Sequence, residues 1–310
     1  MNSLREALQD YLSLRRSLGF KLTAAGRGLL AFVIFMEARR AEHITTHAAL
    51  EWAQQPSSVT PAYRAQLLSW VRGFAIYRQV SDPKTEVPPC DLLPFRPKHA
   101  RVHIYKDDEI RRLLDAALKL PPLNSLRPWT YYCLLGTLSV SGLRIGEAMA
   151  LEDRDVDLEE RILTIRTSKF GKSRIVPVAA TTATVLAEYR RRRDTFFPRQ
   201  RSSYFFVSNR GNKLCSGQVH ETFYTLSRQI GIRAEQTSHG PRLHDLRHRF
   251  AIQTILRWYR HGQDVERRLP ALSTYLGHSR VAHTFWYFNA APQLMQLAAR
   301  RLHQQWEAQK

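Results

Sequence analysis

A handful of side chains in this 310-residue chain have the types and spacing to handle a phosphate. Arg144 and Glu147 stand at i and i+3 within Ser141-Gly-Leu-Arg-Ile-Gly-Glu147, on one face of a helix start. A guanidinium flanked by Leu143 and Ile145 would emerge from a largely buried element and offer a planar fork suited to phosphate oxygens. His244 and Arg247 share a helical face in His244-Asp-Leu-Arg-His248, which sets a proton-handling imidazole beside a second guanidinium. Lys169, at the mouth of a hairpin, could carry its ammonium to a leaving oxygen and donate a proton. Further on, His278 precedes Tyr287 by nine positions, with a Leu-Gly turn before the histidine and Phe285, Trp286 and Phe288 around the tyrosine.

Each feature also has an ordinary reading. Arg144 and Glu147 could be a surface ion pair, Lys169 a turn lysine facing water, and Tyr287 one core aromatic among 12 tyrosines. His244 and His248, at i and i+4 with an acid after the first, imitate the zinc-protease helix. Asp245 is one methylene short of the glutamate that this chemistry uses, no clear third ligand follows, and Arg247 would put a cation beside the metal. No metal is expected.

The elements that must hold these residues fall into two parts. Apolar residues at helical spacing predict helices over about 3–18, 23–40, a short one capped by Thr45 or Thr46, and about 60–79 with Pro61 at its first position. Gly19 is a natural stop for the first. Residues 1–80 therefore read as a small all-α domain. Pro83, Pro88, Pro89, Pro94 and Pro97 then erase all periodicity, so residues 81–101 read as an extended linker. Lys84, Arg96, Lys98 and Arg101 would suit a strap along a nucleic-acid backbone, and a plain solvated linker fits equally well.

The second part, residues 102–310, opens with a helix behind Asp107, Asp108 and Glu109, then a buried helix over about 127–139. Two β-branched runs, Ile162–Ile165 and Arg174–Val178, flank Ser168-Lys-Phe-Gly171 and predict a hairpin, on which Lys172 and Arg174 are candidates for touching DNA. Helices are expected at about 181–193, 216–230, 243–258, 265–276 and 281–288, with a short strand around Tyr204–Val207. A tail helix over about 292–307 carries an apolar stripe of Leu294, Leu297, Ala298, Leu302 and Trp306. The fold class is mainly α with a small antiparallel sheet.

Composition names the partner class. Lys and Arg number 47 against 27 Asp and Glu, a formal charge of +20. Such an excess favours a polyanion, because phosphate binding releases condensed counterions. Cys90, Cys133 and Cys215 form no metal-ligand spacing and no disulfide framework. No signal-peptide pattern or membrane-length apolar run occurs, so a reducing cytoplasm is the expected compartment.

Taken in order, the chemical motifs resemble those of the tyrosine recombinases, the phage-integrase family. The matching pieces are Ser141–Glu147, Lys169 in Ser168–Pro177, Leu243–His248, Leu276-Gly-His278 and Tyr287, and the likeness covers about 100–290. Arg249 departs from the small hydroxyl residue usual after the His-Arg-His run, and the surroundings of Tyr287 are unusually aromatic. The resemblance implies a helical core-binding domain ahead of a catalytic domain. Arg144 and Arg247 would clamp the scissile phosphate, and Tyr287 would attack it to give a 3′-phosphotyrosyl link. Lys169 would protonate the 5′ leaving oxygen, His244 would assist proton transfer, His278 would hydrogen-bond the phosphate, and Glu147 would position its neighbours. No cofactor is needed, since the phosphotyrosine keeps the bond energy for religation.

The implied partner is double-stranded DNA, bound by a homo-tetramer that exchanges C-terminal helices, with a partner recombinase or an accessory protein as further candidates. With only residues 1–80 ahead of the linker, a simple integrase or transposon-encoded recombinase is expected rather than a large arm-binding phage integrase. Two other readings share these residues: a type IB topoisomerase-like enzyme, and a DNA-binding accessory protein with an inactive site.

Overall fold

The computed structural model describes residues 3–93, 102–166, 173–199, 202–237 and 239–307. The chain divides into two compact units, Met1–Ala100 and Arg101–Lys310.

The first unit is built on helices whose ends the sequence marks. Helix α1 (Leu4–Ser17) starts on a reciprocal cap: Ser3 Oγ accepts the Glu6 N–H at 3.2 Å, and the Glu6 carboxylate accepts the Ser3 N–H at 2.8 Å. It stops at Gly19, whose φ of +86° turns the chain so that the Phe20 N–H reaches the Arg15 carbonyl at 3.1 Å. Helices α2 (Thr23–Ala38), α3 (Thr46–Gln54) and α4 (Pro61–Gln79) follow. Thr45 caps α3 and Thr60 caps α4, each accepting a backbone N–H in the first turn. Phe32, Val33, Met36, Val71 and Phe74 are fully buried between them.

The stretch after α4, read as an extended linker, is anchored by distant partners. Over Ser81–Leu93 it is fastened to the helices: Glu86 N–H donates to Ile44 O at 2.8 Å, and Arg72 Nε donates to Pro88 O at 2.7 Å. Asp82 is buried, accepting from Thr85 Oγ1 at 2.7 Å and facing His43 Nδ1 at 2.8 Å. Proline removes a donor and leaves its carbonyl, so a proline-rich stretch can still be held by a side chain that donates. Lys84 is exposed on this unit, whereas Arg96, Lys98 and Arg101 lie outside the described residues.

The second unit opens with α5 (Asp107–Leu118), where three first-turn carboxylates face the positive end of the helix dipole. Next come α6 (Arg127–Ser141), buried on most faces, and the single turn α7 (Ile145–Ala148). Strands β1 (Val156–Asp157), β2 (Ile162–Ile165) and β3 (Arg174–Pro177) form an antiparallel sheet in that order, with Leu163 opposite Val176 and Ile165 opposite Arg174. Helices α8 (Ala180–Phe196), α9 (Ser216–Gln229), α10 (Leu243–Arg260), α11 (Val265–Leu276), α12 (Ala282–Ala290) and α13 (Pro292–Glu307) complete it. The unit is therefore mainly α with a small antiparallel sheet.

Tyr204–Val207 is not a strand. It makes only isolated bridges, Glu152 to Tyr204 and Val207 to Lys213. Phe205 and Phe206 are both buried, with ring centroids 5.0 Å apart, so neighbouring residues fill the core instead of alternating between two faces.

Helices α10 to α13 share a core of their own, in which Ile252, Ile255, Leu272, Leu276, Tyr287 and Leu294 meet. The stripe on α13 splits in two. Leu294 is fully buried and Leu297 half-buried against this core, while Arg301 Nη1 donates to Gln263 O at 2.7 Å. Leu302 and Trp306, further along, are exposed. Among the described residues no helix is long and apolar enough to cross a membrane.

Candidate active site

The site begins where α6 must stop. Gly142 has φ +62°, and a Cβ there would lie 2.5 Å from Phe250 Cδ1, so both conformation and space demand glycine. The chain turns and delivers Arg144 just before α7. Its N–H donates to Glu147 Oε2 at 2.9 Å and its Nη1 to Oε1 at 2.7 Å, while Nη2 donates to Gly277 O at 3.0 Å.

Glu147 holds a second arginine. Arg174 Nη1 and Nη2 donate to its two oxygens at 3.0 and 2.8 Å, and Arg174 Nε donates to Tyr275 O at 2.7 Å. The Arg174 side chain is only 10% exposed. This corrects its place among the DNA-touching candidates: it is a structural partner of Glu147. On β3 the exposed positions are Ile175 and Pro177, and Arg174 lies on the same side as buried Val176. The alternation of the strand carried that signal. Burial by itself would raise the Glu147 carboxyl, but Arg174 and Arg144 outweigh it and hold the group down at about 2.

Arg247, from the first turns of α10, is the largest fully buried side chain among the described residues. Its Nη1 donates to Gly142 O at 2.7 Å and its Nη2 to Leu276 O, and its charge acts on the Tyr287 phenol. Burial, with the charge of Arg144 added, lowers its pKa to about 10, so it stays cationic at neutral pH. Three successive carbonyls at the end of α11 thus each accept from a different arginine: Tyr275 from Arg174, Leu276 from Arg247, Gly277 from Arg144. A helix C-terminus leaves these oxygens free and partly negative, which suits cations. Gly277 is itself constrained, with φ +64° and Arg174 Nη1 3.0 Å from where a Cβ would stand. Nothing in the sequence marked these main-chain oxygens as part of the site.

Tyr287 is 2% exposed on α12. Burial raises its pKa further than Arg247 and Arg144 lower it, so the phenol is protonated at neutral pH. The His278 ring stacks beside it at a centroid distance of 6.2 Å, and the His248 ring meets it edge-on at 5.6 Å. His278 Nδ1 is 2.9 Å from Thr284 Oγ1. Burial, then the charges of Arg247 and Arg144, push His278 down to about 3, and burial with His244 pushes His248 to about 4. Both rings are neutral in ordinary buffers.

His244 is exposed at the start of α10 and packs edge to face on His248 at 4.6 Å. Partial desolvation, followed by the charges of Arg247 and Arg144, lowers its pKa as well. Arg249, the departure in the motif, serves the scaffold: Nε donates to Tyr105 O at 3.0 Å and Nη2 pairs with Asp107. The aromatic run is not uniformly packing. Trp286 and Phe288 are partly buried, but Phe285 is 53% exposed, because successive helical positions turn by about 100° and cannot all face the core. Lys169 and Lys172 lie outside the described residues.

Arg144, Glu147, Arg247, His278 and Tyr287 thus meet at one place, with His244 at its rim. The arrangement can hold a tetrahedral anion between two fixed guanidiniums with a phenol beside it. A family model described as the phage integrase family matches residues 104–293. The chain is 54% identical over 311 residues to a Sinorhizobium fredii protein designated integrase/recombinase y4rB, a match covering 99% of each. A second protein of that organism, designated integrase/recombinase y4rE, is 35% identical over 299 residues, covering 96% of this chain and 95% of its own. Among solved structures, the Tn1549 transposon integrase in complex with transposon right end DNA matches with a TM-score of 0.66 at 17% identity, covering 96% of this chain and 99% of that one. XerH recombinase bound to palindromic difH gives 0.62 at 20% identity, covering 88% and 77%. At these identities the two likenesses show the fold.

Proposed function

The chain belongs to the phage integrase family of tyrosine recombinases, and from that premise we propose that it is a site-specific recombinase that cleaves and rejoins duplex DNA through Tyr287. The observation carrying this reading is the pair Arg144 and Arg247, held by consecutive carbonyls at the end of α11 and close enough for both charges to act on the Tyr287 phenol. Fixed guanidiniums aimed at one point stabilise charge developing on a phosphate without reorganising during the reaction.

In the proposed step, Tyr287 Oη gives up its proton and attacks phosphorus in line. The 3′-phosphotyrosyl bond forms as the bond from phosphorus to the 5′ oxygen breaks. That oxygen takes a proton from Lys169, and His244 accepts from the phenol. Arg144 and Arg247 bind the non-bridging oxygens, His278 donates to one of them, and Glu147 holds Arg144 in place. The phenol has to lose its proton against a raised pKa, so two nearby cations are needed to favour the phenolate. Reversal of the same step on a second 5′-hydroxyl rejoins the strand, and repeated on partner duplexes it would integrate, excise or transpose DNA.

The exposed Leu302 and Trp306 on α13 support docking of this helix on a neighbouring protomer in a tetramer. The charge of +20 supports duplex DNA as the partner.

The test is to trap covalent protein–DNA adducts in the host cell, sequence the attached DNA, and build nicked suicide duplexes from those ends. Wild type should accumulate a phosphotyrosyl adduct on them, and Tyr287→Phe should not while binding the same duplex. Adduct formation by Tyr287→Phe would assign the nucleophile elsewhere. Plasmid relaxation without strand exchange between two sites would identify a topoisomerase instead.

A further inference from the structure

Thr284 lies on the nucleophile's own helix, three positions before Tyr287, and is fully buried. Threonines elsewhere in the unit donate their hydroxyl to the carbonyl four residues back, as Thr137, Thr225 and Thr254 do. Thr284 does not. Its Oγ1 faces His278 Nδ1 at 2.9 Å, and this is its one side-chain hydrogen bond among the described residues. That single contact decides how the imidazole is protonated.

A hydroxyl carries one proton and two lone pairs, and neutral imidazole carries a proton on one nitrogen and a lone pair on the other. If Nδ1 bore the proton, Thr284 would accept it and leave its own proton buried without an acceptor. If Nδ1 bears the lone pair, Thr284 donates and every buried group is satisfied. Buried polar groups are overwhelmingly found satisfied. Nδ1 is therefore the acceptor, and the ring proton is on Nε2, which makes no hydrogen bond among the described residues.

We infer that Thr284 is a positioning residue that fixes the Nε2–H tautomer of His278, so that the imidazole presents a donor to the scissile phosphate. Because α12 carries both Thr284 and Tyr287, the helix that seats the nucleophile also sets the protonation of the histidine beside it. A tyrosine out of place would thereby be accompanied by a histidine free to present a lone pair, which repels a phosphate oxygen. This rests on the proposed phosphoryl-transfer reading for its purpose, but the tautomer can be read independently of any reaction.

The experiment uses the full-length, 15N-labelled and deuterated chain without DNA. Two-bond proton–nitrogen correlation spectra at pH 7 report which imidazole nitrogen is protonated, and the His278 signals are assigned by their loss in His278→Gln. Wild type should show protonated Nε2 and bare Nδ1, Thr284→Ser should keep that pattern, and Thr284→Val should give a mixture of tautomers. On suicide duplexes Thr284→Val should cleave more slowly by on the order of ten- to a hundredfold, the scale for removing an outer partner that orients a functional imidazole, with DNA affinity unchanged and Thr284→Ser restoring the rate. A proton on Nδ1 in wild type, or a Thr284→Val chain that cleaves at the wild-type rate, would overturn the inference. Absence of any adduct from wild type, together with the Nε2–H spectrum, would refute the recombinase reading and leave the tautomer assignment standing.

Discussion

Arg174 holds both carboxylate oxygens of Glu147, at 3.0 and 2.8 Å, and Glu147 in turn takes the backbone N–H and one guanidinium nitrogen of Arg144. Strand β3, at the root of the hairpin, is thereby coupled to the arginine proposed to grip the phosphate.

Arg174→Ala should leave Glu147 with one cation and let Arg144 drift. Because the Glu147 side chain is 7% exposed, losing a partner from this buried pair should cost about 3 kcal/mol or more in unfolding stability. Cleavage should fall even where DNA affinity is retained. Arg174→Lys should restore little, since a single ammonium cannot serve both carboxylate oxygens and the Tyr275 carbonyl. Urea denaturation and adduct formation measure the two effects, and full activity in Arg174→Ala would remove this residue from the site.

Acid should destabilise the catalytic unit in two windows. His248 and His278 have pKa values of about 4 and 3 in the folded chain, below the ordinary histidine value of 6.5. The unfolded chain therefore binds more protons below pH 6.5, and stability falls as pH drops from there toward 3. Glu147, at about 2 against an ordinary 4.5, adds a second loss between those values. Denaturant midpoints taken from pH 7.5 to 3.5 should decline accordingly, and His248→Phe should make the upper window shallower. An unchanged slope in that variant would contradict the assignment.

Gly142→Ala should be disruptive beyond its size. It forces a Cβ to within 2.5 Å of the Phe250 ring and holds a side chain at φ +62°, a combined cost of about 1–3 kcal/mol. It should also move the carbonyl that anchors Arg247 and so reduce cleavage. Adding Phe250→Ala would relieve the clash and not the backbone strain, so the double variant should recover activity only in part.

For α13, cutting the chain at Pro292 would remove buried Leu294 and damage the unit itself. The exposed pair is the cleaner probe. Leu302→Ala with Trp306→Ala should leave thermal stability within about 0.5 kcal/mol, as surface changes generally do. It should nonetheless weaken assembly on two-site DNA measured by light scattering. Normal assembly would rule out a role for this helix between protomers.

Much of this was legible in the chain because local chemistry and local structure coincide. Gly19, Thr45, and Thr60 with Pro61 mark helix ends within a few residues, and the spacing of Arg144 with Glu147 and of His244 with Arg247 put each pair near one place. What stayed hidden depends on distant partners. Arg174 reads as one more cation until the strand's alternation is followed inward. Phe205 and Phe206 look like strand residues until both prove buried. Ser81–Leu93 looks free because its restraints come from Ile44 and Arg72, far away in sequence. The stripe on α13 is continuous in sequence and divided in space.

The carbonyls of Tyr275, Leu276 and Gly277 have one further consequence. Each accepts one N–H from a guanidinium with a neutral oxygen, which fixes geometry without cancelling charge. Glu147 offsets Arg174 and Arg144 jointly, but among the described residues Arg247 has no carboxylate partner at all. A standing positive potential is therefore built into the interior of the unit and persists through the neutral range, below the Arg247 pKa of about 10. Added sulfate or phosphate should relieve that self-repulsion, so thermal stability should rise with millimolar anion and respond far less to chloride at equal ionic strength.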